Sequence, residues 1–234
     1  LCPEAVRYRK TWQSMNEPVE GFDWNDRVTF LRAGIVVEVI VLLVGLGLGW
    51  LVGINPWHAC RLTPAAIGWG VAATGPLLLA FGVTYTLDWA PLRRIRELLI
   101  EMLGRPMAKC RWHDLVLLAV LAGVCEEVLF RGVIQPWMAG GDAARPLAIG
   151  FVVALLGSNL LFALLHPVTR TYAVLVGLVG VYLGLVGLLD PLPEGTELAG
   201  QGNLVVPIIA HGLYDFLAFL VIAGESRRRE RAGG

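Results

Sequence analysis

Six apolar runs dominate the chain, near 30–54, 66–89, 113–137, 147–166, 172–189 and 203–223. Each can cross about 30 Å of hydrocarbon, which takes roughly 20 helical residues. A bilayer interior offers no water to backbone N–H and C=O groups, so such segments must satisfy those groups internally, as helices. The expected architecture is an all-α polytopic transmembrane helix bundle of about six spans. Composition agrees with lipid as the solvent: 56% of the 234 residues are hydrophobic and 16% are charged. The mean hydropathy is +0.65, and a soluble domain of this length does not combine these values.

One connector carries its own signal. From Pro91 to Gly104, Leu92, Ile95, Leu98, Leu99, Met102 and Leu103 recur at helical spacing, while Arg93, Arg94, Arg96, Glu97 and Glu101 occupy the other face. This pattern predicts one interfacial amphipathic helix lying on the membrane surface.

The 19 basic and 19 acidic residues cancel, so no whole-chain field draws the protein to nucleic acid, and none is expected as a partner. The placement of the basic residues is more informative. Arg7, Arg9, Lys10, Arg27 and Arg32, the group from Arg93 to Arg111, Arg170, and Arg227, Arg228, Arg229 and Arg231 fall on one side of the bilayer, and Arg61 and Arg145 on the other. By the positive-inside rule this predicts a multi-pass protein of the cell membrane with both termini cytosolic, which requires an even number of spans. The polar stretch before Arg27 lacks an apolar signal-peptide core and reads as a cytosolic arm.

Cys2, Cys60, Cys110 and Cys125 form no CxxC pair and no zinc-type Cys/His spacing, so neither a disulfide framework nor a zinc knuckle is expected. Gly177, Gly180, Gly184 and Gly187 recur at three- and four-residue intervals in the fifth run. They point to close helix packing, within one chain or between two, and the oligomeric state stays open.

Chemistry concentrates in the last four runs. Glu126, Glu127 and Arg131 lie in CEEVLFRG, where each charge costs about 2.5–3.5 kcal/mol at a helix centre and must therefore face the bundle interior or a wet cavity. Glu127 and Arg131 are four apart and stack on one face as an ion pair. Glu126 points about 100° away, without a partner on its own helix. The fourth run places Phe162 and His166 on one face, and the sixth places His211 and Asp215 one turn apart. Taken singly, these pairs also fit a structural clamp, a helix-end histidine and a local His–Asp hydrogen bond. Together, Glu126, His166, His211 and Asp215 bring acids and imidazoles from three spans to one region. Such a set can deprotonate a water and donate to an oxyanion, which is peptide hydrolysis without a Ser or Cys nucleophile.

The order EExxxR (Glu126 to Arg131), FxxxH (Phe162 to His166) and HxxxD (His211 to Asp215), on successive apolar segments, resembles the CPBP family. That family includes the type II CAAX prenyl endopeptidases and the bacteriocin-processing "Abi" membrane proteins. The resemblance covers roughly 113–223. It implies a helical bundle with a conical cavity, and a glutamate-type peptidase in which Glu126 and His166 activate the attacking water. By the same carry-over, His211 and Asp215 line the oxyanion position, while Glu127, Arg131 and Phe162 orient the site. The prenyl proteases carry Asn where this chain has Asp215. An ionised Asp only accepts hydrogen bonds, so Asp215 is expected to hold His211 in its charged, donating form.

On this reading the chain divides into a cytosolic N-terminal arm (1–28), two spans and the interfacial helix (29–112), a catalytic membrane core (113–223) and a basic cytosolic tail (224–234). The expected partners are the lipid bilayer and a peptide or protein substrate, whether prenylated, membrane-anchored or unmodified, and no cofactor is expected. The alternatives are a zinc-dependent membrane metallopeptidase with Glu126, His166 and His211 as ligands, though without HExxH, and a non-catalytic binding or immunity protein. A transporter, or a cysteine peptidase built on Cys125, is a further alternative.

Overall fold

The computed structural model describes residues 23–143, 145, 148–193 and 201–233. The chain is all-α. α1 (Arg27–Val52) and α2 (Pro64–Thr86) come first and pack on different partners. α3 (Ala90–Leu99) continues through a π turn, Ile100–Gly104, into α4 (Arg105–Lys109). α5 (Trp112–Leu129) likewise passes through a π turn, Phe130–Ile134, into α6 (Gln135–Ala139). α7 (Ile149–Leu164), α8 (Arg170–Val186) and α9 (Val205–Gly233) complete the bundle.

Local chemistry sets the helix ends. The Asp26 carboxylate accepts from Val28 N and Thr29 N and opens α1. Thr63 caps α2, with Pro64 at the first helical position, where its missing N–H costs nothing. Thr169 caps α8 by accepting from Tyr172 N. Gly53, at φ 73°, stops α1 in the left-handed region that a side chain would resist. At the start of α5, Asp114 accepts from Arg111 N at 2.7 Å and takes both Nε and Nη2 of Arg27 at 2.7 and 2.6 Å. The N-termini of α1 and α5 are thereby tied together.

α9 packs along α5 and α2, α1 lies on α5, and α7 joins α6 and α8. The α5–α9 contact is backbone to backbone: a Cβ on Gly123 would sit 2.9 Å from both Gly212 N and Ile208 O. The outward faces are apolar, with Val37, Leu43, Leu79, Leu160, Val174 and Leu178 all exposed, as expected of helices that face hydrocarbon rather than water.

Among the described residues, four helices are long and apolar enough to cross a membrane: Arg27–Val52, Pro64–Thr86, Arg170–Leu189 and Val205–Gly233. Helices also form at the other two expected positions, but neither meets that standard. Ile149–Leu164 has only 16 residues, and Trp112–Leu129 carries Asp114, Glu126 and Glu127 within a single 18-residue helix.

The amphipathic connector is helical, and its Leu92, Ile95 and Ile100 are buried by the chain itself. The Gly-rich run packs within the monomer. Gly177 lies against Ala163, Gly180 against Asn159 and Arg131, Gly184 against Leu155 and Gln135, and Gly187 against Gly202. The basic tail is no separate segment in structure, because α9 runs through it. There Arg227 donates to Ala108 O at 3.0 Å and to Cys110 O at 3.1 Å. Burial pushes the Cys60 and Cys110 thiols up to about 11, which leaves little thiolate for reaction near neutrality. Most of the N-terminal arm lies outside the described residues.

Candidate active site

The site grows from one buried carboxylate. Glu127 of α5 is fully buried, and its Oε1 receives Arg131 Nη1 at 3.0 Å, so the ion pair expected from the four-residue spacing is formed. Arg131 lies in the π turn, and its Nη2 donates to Asn159 Oδ1 at 2.8 Å and to Gly180 O at 2.7 Å. The guanidinium also stands over the Phe162 ring, 4.9 Å from its centroid. Phe162 in turn packs edge-on against Phe130 at 4.9 Å. Residues from α5, α7 and α8 therefore fix Arg131, which in turn holds Glu127.

The same Glu127 Oε1 lies 2.9 Å from His211 Nδ1, on α9. An ionised carboxylate can only accept, so this contact puts a proton on Nδ1 and fixes the ring's orientation. His211 Nε2 then faces two more carboxylates, Asp215 Oδ2 at 3.5 Å and Glu126 Oε2 at 3.9 Å. Their side chains keep 18% and 17% exposure. Glu126, which has no partner on its own helix, thus meets the far side of the same imidazole that Glu127 holds from behind. The principal carboxylate partner of His211 is Glu127, with Asp215 the more distant.

His166 stands apart. It lies just beyond the C-terminal end of α7, where Nδ1 bonds Phe162 O at 2.8 Å and the ring packs 4.7 Å from the Phe162 ring. That carbonyl acceptor leaves Nε2 free to accept. Phe162 touches both histidines, 6.5 Å from the His211 ring. His166 itself makes no direct hydrogen bond to Glu126.

Three residues of this region carry no motif that sequence reading could use. Asn159 is buried and clamped between Arg131 and its own helix, donating to Leu155 O at 2.7 Å; its only sequence signal is an amide inside an apolar run. Gln135 is buried one turn beyond Arg131. Glu38 comes from α1 and lies within electrostatic reach of His211, Asp215 and Glu126. Its Oε2 is buried and makes no hydrogen bond. An acid in the first apolar run was visible in the sequence, but its partners were not. Replacing Glu38 with Gln removes the charge from a half-buried carboxylate whose Oε2 has no partner and should raise stability by roughly 1–3 kcal/mol. An unchanged or lowered denaturation midpoint in detergent would show that the carboxylate is instead well compensated.

Among the described residues, no group of three or more His, Cys, Asp or Glu side chains assembles as a metal-binding set. Glu126, His166 and His211, the trio considered for zinc, do not converge in that way. Cys125 is buried, at 1% exposure.

No curated protein and no solved structure matches the chain. A family model does: the one described as "Type II CAAX prenyl endopeptidase Rce1-like" matches residues 109–217, a stretch that contains Glu126, Glu127, Arg131, Phe162, His166, His211 and Asp215. Over this core, the chain is similar to the Rce1-like family of type II CAAX prenyl endopeptidases.

Proposed function

We propose that the protein is an intramembrane glutamate-type endopeptidase. Glu126 is its base, acting together with His166 on the attacking water. The observation that carries this reading is the imidazole of His211, held through Nδ1 by the Glu127–Arg131 pair and facing Glu126 and Asp215 through Nε2. Glu126 takes a proton from water as the hydroxide oxygen bonds to the scissile carbonyl carbon. The carbonyl π electrons move to oxygen, and the oxyanion accepts a hydrogen bond from His211 Nε2–H. Collapse of the tetrahedral intermediate breaks the C–N bond, and Glu126 returns its proton to the leaving amine. Asp215 keeps His211 in its donating form, Glu127 and Arg131 fix the ring, and no cofactor takes part.

The substrate is a peptide reached from the cytosolic half of the membrane, prenylated or otherwise membrane-anchored. In this arrangement α5–α6 and α7 also cross the bilayer, giving six spans with both termini cytosolic. The uneven distribution of Arg and Lys supports that orientation. In spheroplasts, a membrane-impermeant maleimide should label Arg61→Cys in intact cells and Arg228→Cys only after lysis. The reverse pattern would invert the topology.

Detergent-purified protein should hydrolyse at least one member of a panel of fluorogenic peptides, prenylated and unprenylated, at a rate unaffected by chelator. Inhibition by chelator that zinc reverses would make the protein a metallopeptidase. A folded protein that binds but cuts none of the peptides would reduce it to a binding protein.

A further inference from the structure

Beyond Arg131, on the side away from Glu127, lies a cavity of about 430 Å³, a size typical of small-ligand sites. The loop after α1, with Asn55 and His58, lines it together with Trp137 of α6 and the turn after α8. Glu126, His166, His211 and Asp215 do not line it, so it is separate from the catalytic cluster.

Two buried side chains in the wall of this cavity carry unused hydrogen-bonding atoms. Arg131 spends both Nη atoms on Glu127, Asn159 and Gly180, and its side chain is 4% exposed. Its Nε, a donor, is buried and has no partner in the chain. Gln135, 7% exposed, likewise has a buried, unpartnered acceptor in Oε1. Both residues line the cavity, and they stand one turn apart, about 6 Å along the helix. The glycines of α8 make room for them: a Cβ on Gly184 would come 2.8 Å from Gln135 Oε1, and one on Gly180 would come 3.0 Å from Arg131 Nη2.

One donor beside one acceptor calls for a ligand that offers one of each. Glu127 already balances the Arg131 charge at 3.0 Å, and an anion would meet the Gln135 carbonyl oxygen with repulsion. A group with an accepting C=O and a donating N–H satisfies both atoms. We propose that this cavity is a second binding site, for a ligand carrying an uncharged amide or peptide group, whose carbonyl accepts from Arg131 Nε–H and whose N–H donates to Gln135 Oε1. Arg131 also holds Glu127, and through it His211, so occupancy of the cavity bears directly on the residue that positions the catalytic imidazole. The proposal does not depend on the peptidase reading, because binding is measured without turnover.

The test is ligand-observed saturation-transfer NMR on the full chain in detergent micelles, using N-acetylglycinamide and an N-acetylated tripeptide amide as probes. Both wild type and Glu126→Gln should bind, while Gln135→Leu weakens binding at least tenfold. Ala143→Trp, which fills the cavity from its loop wall, should do the same and keeps the test decisive if Gln135→Leu does not fold. Tighter binding of the tripeptide amide would identify a peptide segment as the occupant, and equal binding a small amide; either supports the site. The proposal fails if the folded wild type binds neither probe or if acetate displaces them. It also fails if binding disappears in Glu126→Gln but survives Gln135→Leu and Ala143→Trp.

Discussion

Glu126→Gln should lower the rate of peptide hydrolysis by about 10²–10⁴-fold, the usual contribution of a positioned general base, while leaving the protein folded. Glu126 is 17% exposed, and its nearest charged contact is His211 Nε2 at 3.9 Å, too long for a hydrogen bond. Removing its charge therefore breaks little structure. Gln keeps the volume and the polar character but cannot take a proton from water. Single-turnover cleavage by wild type and variant, alongside a denaturation curve for each, separates catalysis from folding. If Glu126→Gln still cleaved at the wild-type rate while Glu126→Ala did not, the residue would serve binding and the glutamate-peptidase mechanism would fall.

Arg131→Leu should be far more damaging to the fold. Glu127 is fully buried and the Arg131 side chain is 4% exposed, and breaking a buried ion pair from one side costs roughly 3–5 kcal/mol because the other charge is left uncompensated. That is a large share of the roughly 5–15 kcal/mol that holds a domain folded. The loss also removes donors from Asn159 Oδ1 and Gly180 O. The double substitution Glu127→Leu with Arg131→Leu should recover part of the stability, since no lone charge then remains, yet it should not cleave, because His211 loses the carboxylate that holds Nδ1. Reversible denaturation in detergent measures both. A single Arg131→Leu costing less than about 1 kcal/mol would mean that water reaches the pair.

The elements that the sequence announced most clearly were those whose signal is local. Helices formed at all six apolar runs, with Asp26, Thr63 and Thr169 as caps and Gly53 as a stop, because apolar side chains and capping groups act over one or two turns. The Glu127–Arg131 pair was legible for the same reason, since four residues on a helix return to one face. The number of spans was less secure: α5 and α7 occupy the expected positions but fall short in apolarity or length, a margin that helix–helix burial sets and a hydropathy window does not see. The Gly-rich run of α8 was legible as a packing surface, but its partners, on α6 and α7, in the π turn and in the loop before α9, were not.

The sequence by itself determined the helical bundle, its lipid-facing composition and the three motifs Glu126 to Arg131, Phe162 to His166 and His211 to Asp215, because each depends on spacing between near neighbours in the chain. Tertiary structure decided which of those faces meet. It brought Glu127 and His211, 84 residues apart, to within 2.9 Å, set Asn159 and Gly180 around Arg131, and brought Glu38 within electrostatic reach of His211 and Asp215 from outside the family-matched core. It also left Arg131 Nε and Gln135 Oε1 buried without partners, on two residues that line one cavity. The physical reason is range. Helical periodicity is written into neighbouring residues, whereas the partner of a buried charge depends on how whole helices rotate and cross, and that is fixed only when side chains from distant segments pack together.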